Sequence, residues 1–277
     1  MGLLCVVATP IGNLEDVTLR ALRVLGEADL VLAEDTRRTR ILLERHGVAA
    51  QPVSLHAHNE AARIGRALAT LDAGGTVALV SDAGTPLVSD PGARLVRAAL
   101  AAGHEVSPLP GPSAVLAALC AAGLPSERWS FVGFLPRRVG ERTALLTELS
   151  IRPETLLFFE SARRLGDTLA ALLEVFGNRQ ACVARELTKL HEELARGSLE
   201  SLIARFADPP KGEVTLVVEG AAPPALPDVA AGELDGAIRS GLRAGRPSRD
   251  LAAELARQHG VARRAVYTRV VALKSED

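Results

Sequence analysis

The chain has 277 residues, of which 48% are hydrophobic and 23% charged, with a formal net charge of −1. This length allows two compact domains, since one domain usually takes about 100 to 200 residues. No run approaches the roughly 18 to 20 uncharged apolar residues that span a bilayer, and the N-terminus lacks a basic segment followed by a cleavage site. We therefore expect a soluble, cytoplasmic protein that does not contact a membrane.

The cysteines and the basic residues indicate which kinds of site and partner to expect. The cysteines occur singly within apolar segments, without the paired spacing of a zinc site or a disulfide framework: Cys5, Cys120 and Cys182. We expect them to fill the core. Nearly all positive charge is arginine, because the only lysines are Lys189, Lys211 and Lys274. The balanced net charge does not exclude a nucleic-acid partner, since a basic stripe can coexist with an acidic remainder.

Residues 1–112 alternate short β-branched runs with helical patterns, which predicts an α/β domain with a largely parallel sheet. The predicted strands are Leu3–Ala8, Leu30–Ala33, Thr76–Val80 and Glu105–Leu109. The predicted helices are Asp16–Gly26, Thr36–His46, His58–Leu71 and Pro91–Ala102.

Residues 113–222 predict a second α/β domain. Its predicted strands are Thr155–Phe159, Gln180–Arg185 and Glu213–Glu219. Its predicted helices are Glu141–Leu149, Arg163–Phe176 and Leu199–Phe206. The following segment AAPPALPD, residues 221–228, has three prolines and no periodicity, which indicates a stiff linker.

Residues 229–277 predict a small C-terminal domain that is similar to a helix-turn-helix. We expect Ser248 to cap a helix that carries Leu251 and Leu255, with a break at His259-Gly260 and a second helix from Arg263. Contact with nucleic acid and simple packing or oligomer contact both remain open for this tail.

Several loops at the predicted strand ends have the composition of a ligand site. In open α/β sheets, ligands bind beyond the carboxyl ends of the strands. The loops there combine glycine, proline or small polar residues with a helix start: residues 9–13, 34–37, 81–92 and 108–114. Glycine lets a ligand reach the main chain, and proline fixes the loop in advance. Each loop alone is also consistent with an ordinary turn.

Common nucleotide and hydrolase motifs are missing from these loops. No G-x-G-x-x-G follows the first strand, and G-x-x-x-x-G-K-[ST], G-x-S-x-G and H-E-x-x-H do not occur. Dehydrogenase, P-loop, hydrolase and metalloprotease functions therefore lose their usual support.

A series of longer segments runs in order along nearly the whole chain: VVATPIGNLEDVTLRAL, AEDTRRTRILL, LHAHNE, ALVSDAGTPLVSDPG, PLPGPSAV, GFLPRR, FFESARRL, VARELTKLHEE and VVEG. Together they resemble the ribosomal RNA small subunit methyltransferase I family, cytidine 2′-O-methyltransferases within the tetrapyrrole methylase superfamily. The resemblance implies two α/β domains with an S-adenosylmethionine cleft between them, a cytidine ribose of small-subunit (16S) ribosomal RNA as methyl acceptor, and a homodimer.

The resemblance also implies which residues bind the cofactor. The carried-over positions are Pro10, Asp82, Ala83, Gly84, Thr85, Ser113, Ala114, Phe159 and Ala184. The loop around Gly84 is expected at the methionine or ribose portion, and Phe159 and Ala184 at the adenine. Tetrapyrrole-acting members have a glycine-rich first loop and Gly-Asp-Pro in the fourth, whereas this chain has TPIGN and SDAGTP. The difference favours the rRNA branch, and no metal is required.

Catalysis needs help for the acceptor, because a ribose 2′-hydroxyl is a poor nucleophile. The titratable candidates after strand ends are Glu34, Asp35, His56, His58, Glu186 and Lys189. Each also has a structural interpretation: Glu34 or Asp35 as a helix cap, His56 as a polar strand end, Lys189 as a solvated lysine. We hypothesise that Glu34 and Lys189 flank the acceptor ribose.

The expected partner is small-subunit rRNA or the assembled small subunit. Predicted RNA-binding residues are Asp35, Arg37, Arg38, Arg40, His56, His58, Asn59, Arg137 and Arg138. With one Trp, one Tyr and six Phe, a broad stacking platform is not expected. Recognition should depend on phosphate contacts, shape and one extruded nucleotide.

Two other functions are compatible with these patterns. One is a sister methylase that acts on a tetrapyrrole or another non-RNA substrate. The other is a nucleic-acid-binding regulator, in which the α/β body senses a ligand and the C-terminal helices contact the nucleic acid.

Overall fold

The computed structural model describes residues 1–56, 59–222, 228–259 and 263–276. The chain forms two compact units, Met1–Gly220 and Ala221–Asp277. In the described ranges, no helix combines the length and the apolar character that crossing a bilayer would require.

The first half of the larger unit is built on a parallel five-stranded sheet. Its strands are β1 Leu3–Val7, β2 Leu30–Ala33, β3 Pro52–Ser54, β4 Thr76–Val80 and β5 Glu105–Leu109. They lie in the order β3-β2-β4-β1-β5, and every pair is parallel. Strands β1, β2 and β4 are apolar on both faces because both faces of the sheet are covered. All carboxyl ends therefore meet at one edge.

The helices of this half are α1 Leu19–Glu27, α2 Thr36–Arg45, α3 Glu60–Asp72 and α4 Ala93–Ala101. Three begin later than predicted, and one of them is α3, which begins at Glu60. Helix α1 starts after Thr18, whose hydroxyl accepts the N–H of Ala21. Helix α4 starts after Gly92, whose φ of +117° is not helical.

The second half contains a mixed five-stranded sheet. Its strands are β6 Trp129–Phe134, β7 Thr155–Ser161, β8 Gln180–Arg185, β9 Glu193–Ser198 and β10 Glu213–Val218. The order is β6-β7-β10-β8-β9, with only β6 and β7 parallel. Helices of this half are α5 Ala114–Ala122, α6 Val139–Leu149, α7 Leu165–Phe176 and α8 Leu199–Arg205.

Three of these elements were absent from the prediction. Strand β6 contains a bulge between Phe131 and Gly133, which interrupts its alternation. Strand β9 is a polar edge strand. Helix α5 has apolar or small residues on all sides and thus no amphipathic period. On α5, Cys120 is exposed, contrary to the expectation of a core cysteine, whereas Cys5 and Cys182 are buried.

The domain boundary at residues 112 and 113 stays a prediction. Helix α5 packs on β8, β9 and β10 of the second sheet, while the two halves together form one compact unit.

In its described residues, the smaller unit contains the helices α9 Asp228–Arg243, α10 Ser248–Gln258 and α11 Arg263–Glu276. Leu234, Ile238, Leu251 and Val270 are among the residues of its own apolar core. The cap predicted at Ser248 is wrong, because Pro247 is the capping position and Ser248 already lies in the helix. Gly260 of the predicted break, and residues 223–227 of the predicted linker, lie outside the described residues.

Candidate active site

The loops after β1 and β4 are joined at the carboxyl edge of the parallel sheet. The N–H of Thr9 donates to the carbonyl of Gly84 at 2.9 Å, and the N–H of Gly84 donates back at 2.8 Å. Gly84 has a φ of +76°, a conformation that favours glycine. Thr85 extends the connection, since its hydroxyl donates to the carbonyl of Pro112 in the loop after β5. Three of the predicted loops thus converge.

Left-handed backbone is concentrated in two loops of this region. Among the described residues, the non-glycine residues with positive φ are Leu87, Ser89, Glu186 and Thr188. The first two lie in the loop after β4, and the other two in the loop after β8. Such conformations each cost about 1–3 kcal/mol and cluster at functional sites.

The second half contributes a row of residues across three strands. Thr215 on β10 is paired with Phe159 on β7 and with Ala184 on β8. The ring of Phe159 packs edge-on against Phe131, with 4.8 Å between the ring centroids, and its centroid lies 5.6 Å from that of Phe134. This row supplies an apolar surface that suits a flat ring.

The loops and this row enclose a cleft of about 360 Å³ between the halves. Seven of the nine predicted cofactor residues line it: Ala83, Gly84, Thr85, Ser113, Ala114, Phe159 and Ala184. The prediction missed several other residues of its lining: Ile11, Ser89, Asp90, Phe134, Glu160 and Glu213. The aromatic run FFES and the acidic residue of SDPG were visible signals for Glu160 and Asp90.

A second cavity of about 250 Å³ is next to the first, and both are lined by Ile11, Ala83 and Glu213. The two remaining predicted cofactor residues, Pro10 and Asp82, line this smaller cavity. Arg38 and Lys189 line it too. The structure therefore brings Lys189 to the cofactor loops.

The two halves touch at Gly12. A Cβ at this position would lie 2.4 Å from Cγ of Lys189 and 2.8 Å from the hydroxyl of Thr188, so only glycine fits. Beside it, the N–H of Asn13 donates to the hydroxyl of Thr188 at 3.0 Å. The first loop is thereby held against the loop after β8.

Lys189 is not a solvated lysine. Its ammonium donates to Glu186 at 2.8 Å and to Glu213 at 3.0 Å, and its side chain is 29% exposed. Glu186, the other candidate in this loop, is thus a partner of Lys189.

Glu34 and Asp35 have different environments. Asp35 caps α2, because its carboxylate accepts the N–H of Arg37, and it also pairs with the guanidinium of Arg37. These bonds lower the pKa of Asp35 to about 2. Burial, and then the charges of Asp82 and Asp90, raise the pKa of Glu34. Glu34 is therefore the better proton acceptor, although it is not among the described residues that line the two cavities.

The cleft is acidic, which suits a cationic ligand. Burial raises the pKa of Asp90. A hydrogen bond from Ser81 lowers this pKa, and the negative charge of nearby Asp82 raises it. A sulfonium compound would relieve this repulsion. The loop around Gly84 would lie at the methionine or ribose portion, and the Phe159 row would serve an adenine. The residues present fit S-adenosylmethionine.

The predicted RNA-binding arginines lie mostly outside the cavities. Arg37 pairs with Asp35, and Arg38 lies 3.8 Å from Asp82 at the smaller cavity. Arg137 and Arg138 are exposed just after Phe134 at the end of β6. Arg40 is exposed on α2.

Asn59 organises the loop after β3. Its amide donates to the carbonyl of Ser54 at 3.1 Å, and its oxygen accepts the N–H of His56 at 2.8 Å. His56 is exposed. His58 lies outside the described residues.

The chain is similar to known methylases in both sequence and fold. Residues 3–203 match the family described as Tetrapyrrole (Corrin/Porphyrin) Methylases. Solved structures with this fold include uroporphyrin-III-C-methyltransferase from Thermus thermophilus, 24% identical with a TM-score of 0.55 over 78% of this chain and 94% of that one. A cobalt precorrin-4 methyltransferase has a TM-score of 0.58 over the same shares at 18% identity.

Curated relatives are much more similar. A protein of Mesorhizobium japonicum is 48% identical over 98% of this chain and 92% of its own length. Proteins of Escherichia coli O157:H7 and Synechocystis are 45% and 42% identical, over 96% and 100% of this chain and 93% and 100% of their own lengths. All three are named ribosomal RNA small subunit methyltransferase I. With such likeness along its length, the chain belongs to the tetrapyrrole methylases, in the ribosomal RNA small subunit methyltransferase I family.

Proposed function

We propose that the protein transfers a methyl group from S-adenosylmethionine to the 2′-hydroxyl of a cytidine ribose in small-subunit rRNA. The observation that carries the proposal is the acidic, partly aromatic cleft on which the loops after β1, β4 and β5 converge with the ends of β7 and β8. The name shared by the relatives supports small-subunit rRNA as the substrate.

The donor is held by the first half and the Phe159 row. Pro10, Asp82, Ala83, Gly84, Thr85, Ser113, Ala114, Phe159 and Ala184 are its proposed binding residues. S-Adenosylmethionine supplies a methyl group on a cationic sulfur, which an oxygen displaces in line. Much of the acceleration can come from holding the acceptor oxygen about 3 Å from the methyl carbon.

The acceptor ribose is proposed to enter the smaller cavity, because that cavity adjoins the donor cleft and is lined by Arg38 and Lys189. Glu34, whose pKa is raised by burial and neighbouring carboxylates, is proposed to accept the hydroxyl proton. Lys189 is proposed to contact the acceptor, and Arg37, Arg38, Arg40, Arg137 and Arg138 to contact phosphates. Asp35, His56, His58 and Asn59 complete the proposed RNA surface.

The protein is further proposed to act in the cytoplasm as a homodimer, on free rRNA or on the assembled subunit. The experiment has two stages. Calorimetry with S-adenosylmethionine tests the cleft, and transfer of a labelled methyl group to unmodified small subunits or free 16S rRNA tests the acceptor. Methyl incorporation into a base, or none into RNA despite tight donor binding, would overturn the proposal.

Two variants test the acceptor side. Glu34→Ala and Lys189→Ala should abolish methylation while donor affinity stays unchanged. The matched control is Glu27→Ala, an exposed carboxylate on α1 that pairs with Arg23. Normal turnover in either site variant would remove that residue from the catalytic set.

A further inference from the structure

The ammonium of Lys189 is held from two sides by carboxylates of the second half. Glu186 lies in its own loop, and Glu213 begins β10. An ammonium group has three N–H donors, and these partners occupy two of them. One donor is left for a group bound in the smaller cavity, which Lys189 lines.

The carboxylate of Glu186 is itself fixed by the backbone. It accepts the N–H of Glu213 at 2.9 Å, while the N–H of Glu186 donates to the carbonyl of Glu213 at 3.0 Å. A Cβ at Gly212 would lie 2.3 Å from the same carboxylate, so the carboxylate fills the space of a side chain there. Glu186 also has a φ of +50°. The strained backbone of Glu186 and the glycine at position 212 therefore both favour a single geometry for the ion pair of Glu186 with Lys189.

This geometry favours the charged lysine. Partial burial opposes the charge, but the hydrogen bonds to Glu186 and Glu213 outweigh burial and raise the pKa of Lys189. The hydrogen bond from Lys189 in turn lowers the pKa of Glu186. From the first half, Asp82 and Arg38 line the same cavity with opposite charges.

We propose that Glu186 and Glu213 are positioning residues that hold Lys189 as a charged hydrogen-bond donor to the acceptor oxygen, which excludes Lys189 as the base. The inference deepens the proposed function and rests on it. As the oxygen–methyl bond forms, the methyl–sulfur bond breaks and its electron pair stays on the sulfur, which leaves as a neutral thioether. The O–H bond breaks too, and its proton passes to a carboxylate, for which Glu34 is the candidate. Lys189 keeps its protons and stabilises the negative charge that develops on the oxygen.

The lysine content makes a direct test practical. With only Lys189, Lys211 and Lys274 in the chain, lysine labelled with 13C at Cε gives three side-chain signals, assigned by single Lys→Arg variants. We expect the Lys189 signal to titrate above the ordinary lysine value of 10.5, and its midpoint to fall by about one pH unit in Glu213→Gln. A Lys189 midpoint at or below the ordinary value would overturn the inference. This readout requires neither donor nor RNA, so it is separate from the test of the proposed function.

Turnover supplies the second readout. At saturating S-adenosylmethionine, Glu213→Gln should lower kcat about tenfold, with RNA KM unchanged, and Glu213→Asp should recover part of the loss. A faster reaction at neutral pH in Glu213→Gln would instead identify Lys189 as the base. Glu200→Gln, which removes an exposed carboxylate hydrogen-bonded to Asn178, is the control.

A third comparison remains valid if Glu213→Gln fails to fold. Lys189→Arg keeps a permanent charge but cannot act as a base, whereas Lys189→Met keeps neither function. The Arg variant should be at least about tenfold more active than the Met variant. Equal activity of the two would contradict the inference.

Discussion

The carboxylate of Asp82 accepts a hydrogen bond from the backbone N–H of Asp35 at 2.7 Å. This bond joins the loop after β4 to the first turn of α2, where Asp35 is the cap. The loop that lines the cleft is thus connected to the helix that carries Arg37, Arg38 and Arg40.

Substitutions of Asp82 should separate its two roles. Asp82→Asn keeps an oxygen acceptor but loses the charge, so we expect donor affinity to weaken by about tenfold with little change in Tm. Asp82→Ala also leaves the N–H of Asp35 without its acceptor, so Tm should fall by about 2–4 °C. Calorimetry and thermal unfolding measure the two effects.

The control uses a similar bond at the opposite end of the sheet. Asp29 accepts the N–H of Thr76 at 2.8 Å where β4 begins. Asp29→Ala should lower Tm comparably and leave donor affinity unchanged. If Asp29→Ala weakened donor binding as much as Asp82→Ala, the effect would come from stability alone.

Donor binding should depend on pH through Asp90, which lines the donor cleft. Burial, with the charge of nearby Asp82, raises the pKa of Asp90 above its ordinary 3.8. A positively charged donor favours the ionised carboxylate, so affinity should fall as pH decreases through the raised value, and binding there should release protons. Calorimetry in buffers of different ionisation enthalpy counts those protons. Asp90→Asn should reduce the count, and pH-independent affinity would contradict the prediction.

Asp90 should affect the stability of the ligand-free protein in the opposite direction. A raised folded-state pKa contributes stability that is fully present below the ordinary pKa and is lost as pH rises through the folded value. In Asp90→Asn, Tm should therefore decrease less as pH rises through the folded-state pKa. Thermal unfolding without ligand measures this difference.

Arg137 and Arg138 should contribute to RNA affinity without reading its sequence. Replacing either with Gln should reduce the slope of log affinity against log salt by about 0.7 to 0.9. Filter binding or fluorescence anisotropy at several salt concentrations measures the slope. Arg23→Gln, an exposed arginine paired with Glu27 on α1, should leave it unchanged.

A chain that ends at residue 222 should keep its donor affinity. The larger unit, Met1–Gly220, contains both sheets and every described residue of the cleft. A regulator that depends on the C-terminal helices would lose its function on truncation, whereas a methylase keeps donor binding. Calorimetry on the shortened chain measures donor binding, and loss of donor affinity in a folded product would contradict the prediction.

Much of the site could be predicted because a parallel sheet brings all its carboxyl ends to one edge. The loops after β1, β4 and β5, which contain Gly84 and Ser113, were therefore predicted as ligand loops from the sequence pattern. Their assignment to the cofactor came from the family resemblance. Phe159 and Ala184 required the family resemblance, since the pairing of their strands through β10 is not visible in the sequence.

Glu213 was missed for a physical reason. Ligand residues are expected just after strands, but β10 is antiparallel to β7 and β8, so its first residue lies at their carboxyl ends. Strand β6 and helix α5 were missed because a bulge and an all-apolar composition remove the periodicities on which prediction depends.

The left-handed residues Leu87, Ser89, Glu186 and Thr188 have a thermodynamic consequence. The loop after β8 is held by the chain's own hydrogen bonds, since the N–H of Asn13 donates to Thr188 and the ammonium of Lys189 donates to Glu186. We therefore expect the entropy of ordering these loops to be lost on folding and not on binding. Association should accordingly show little unfavourable conformational entropy, and the loops should be protected from amide exchange to the same degree with and without the bound molecule.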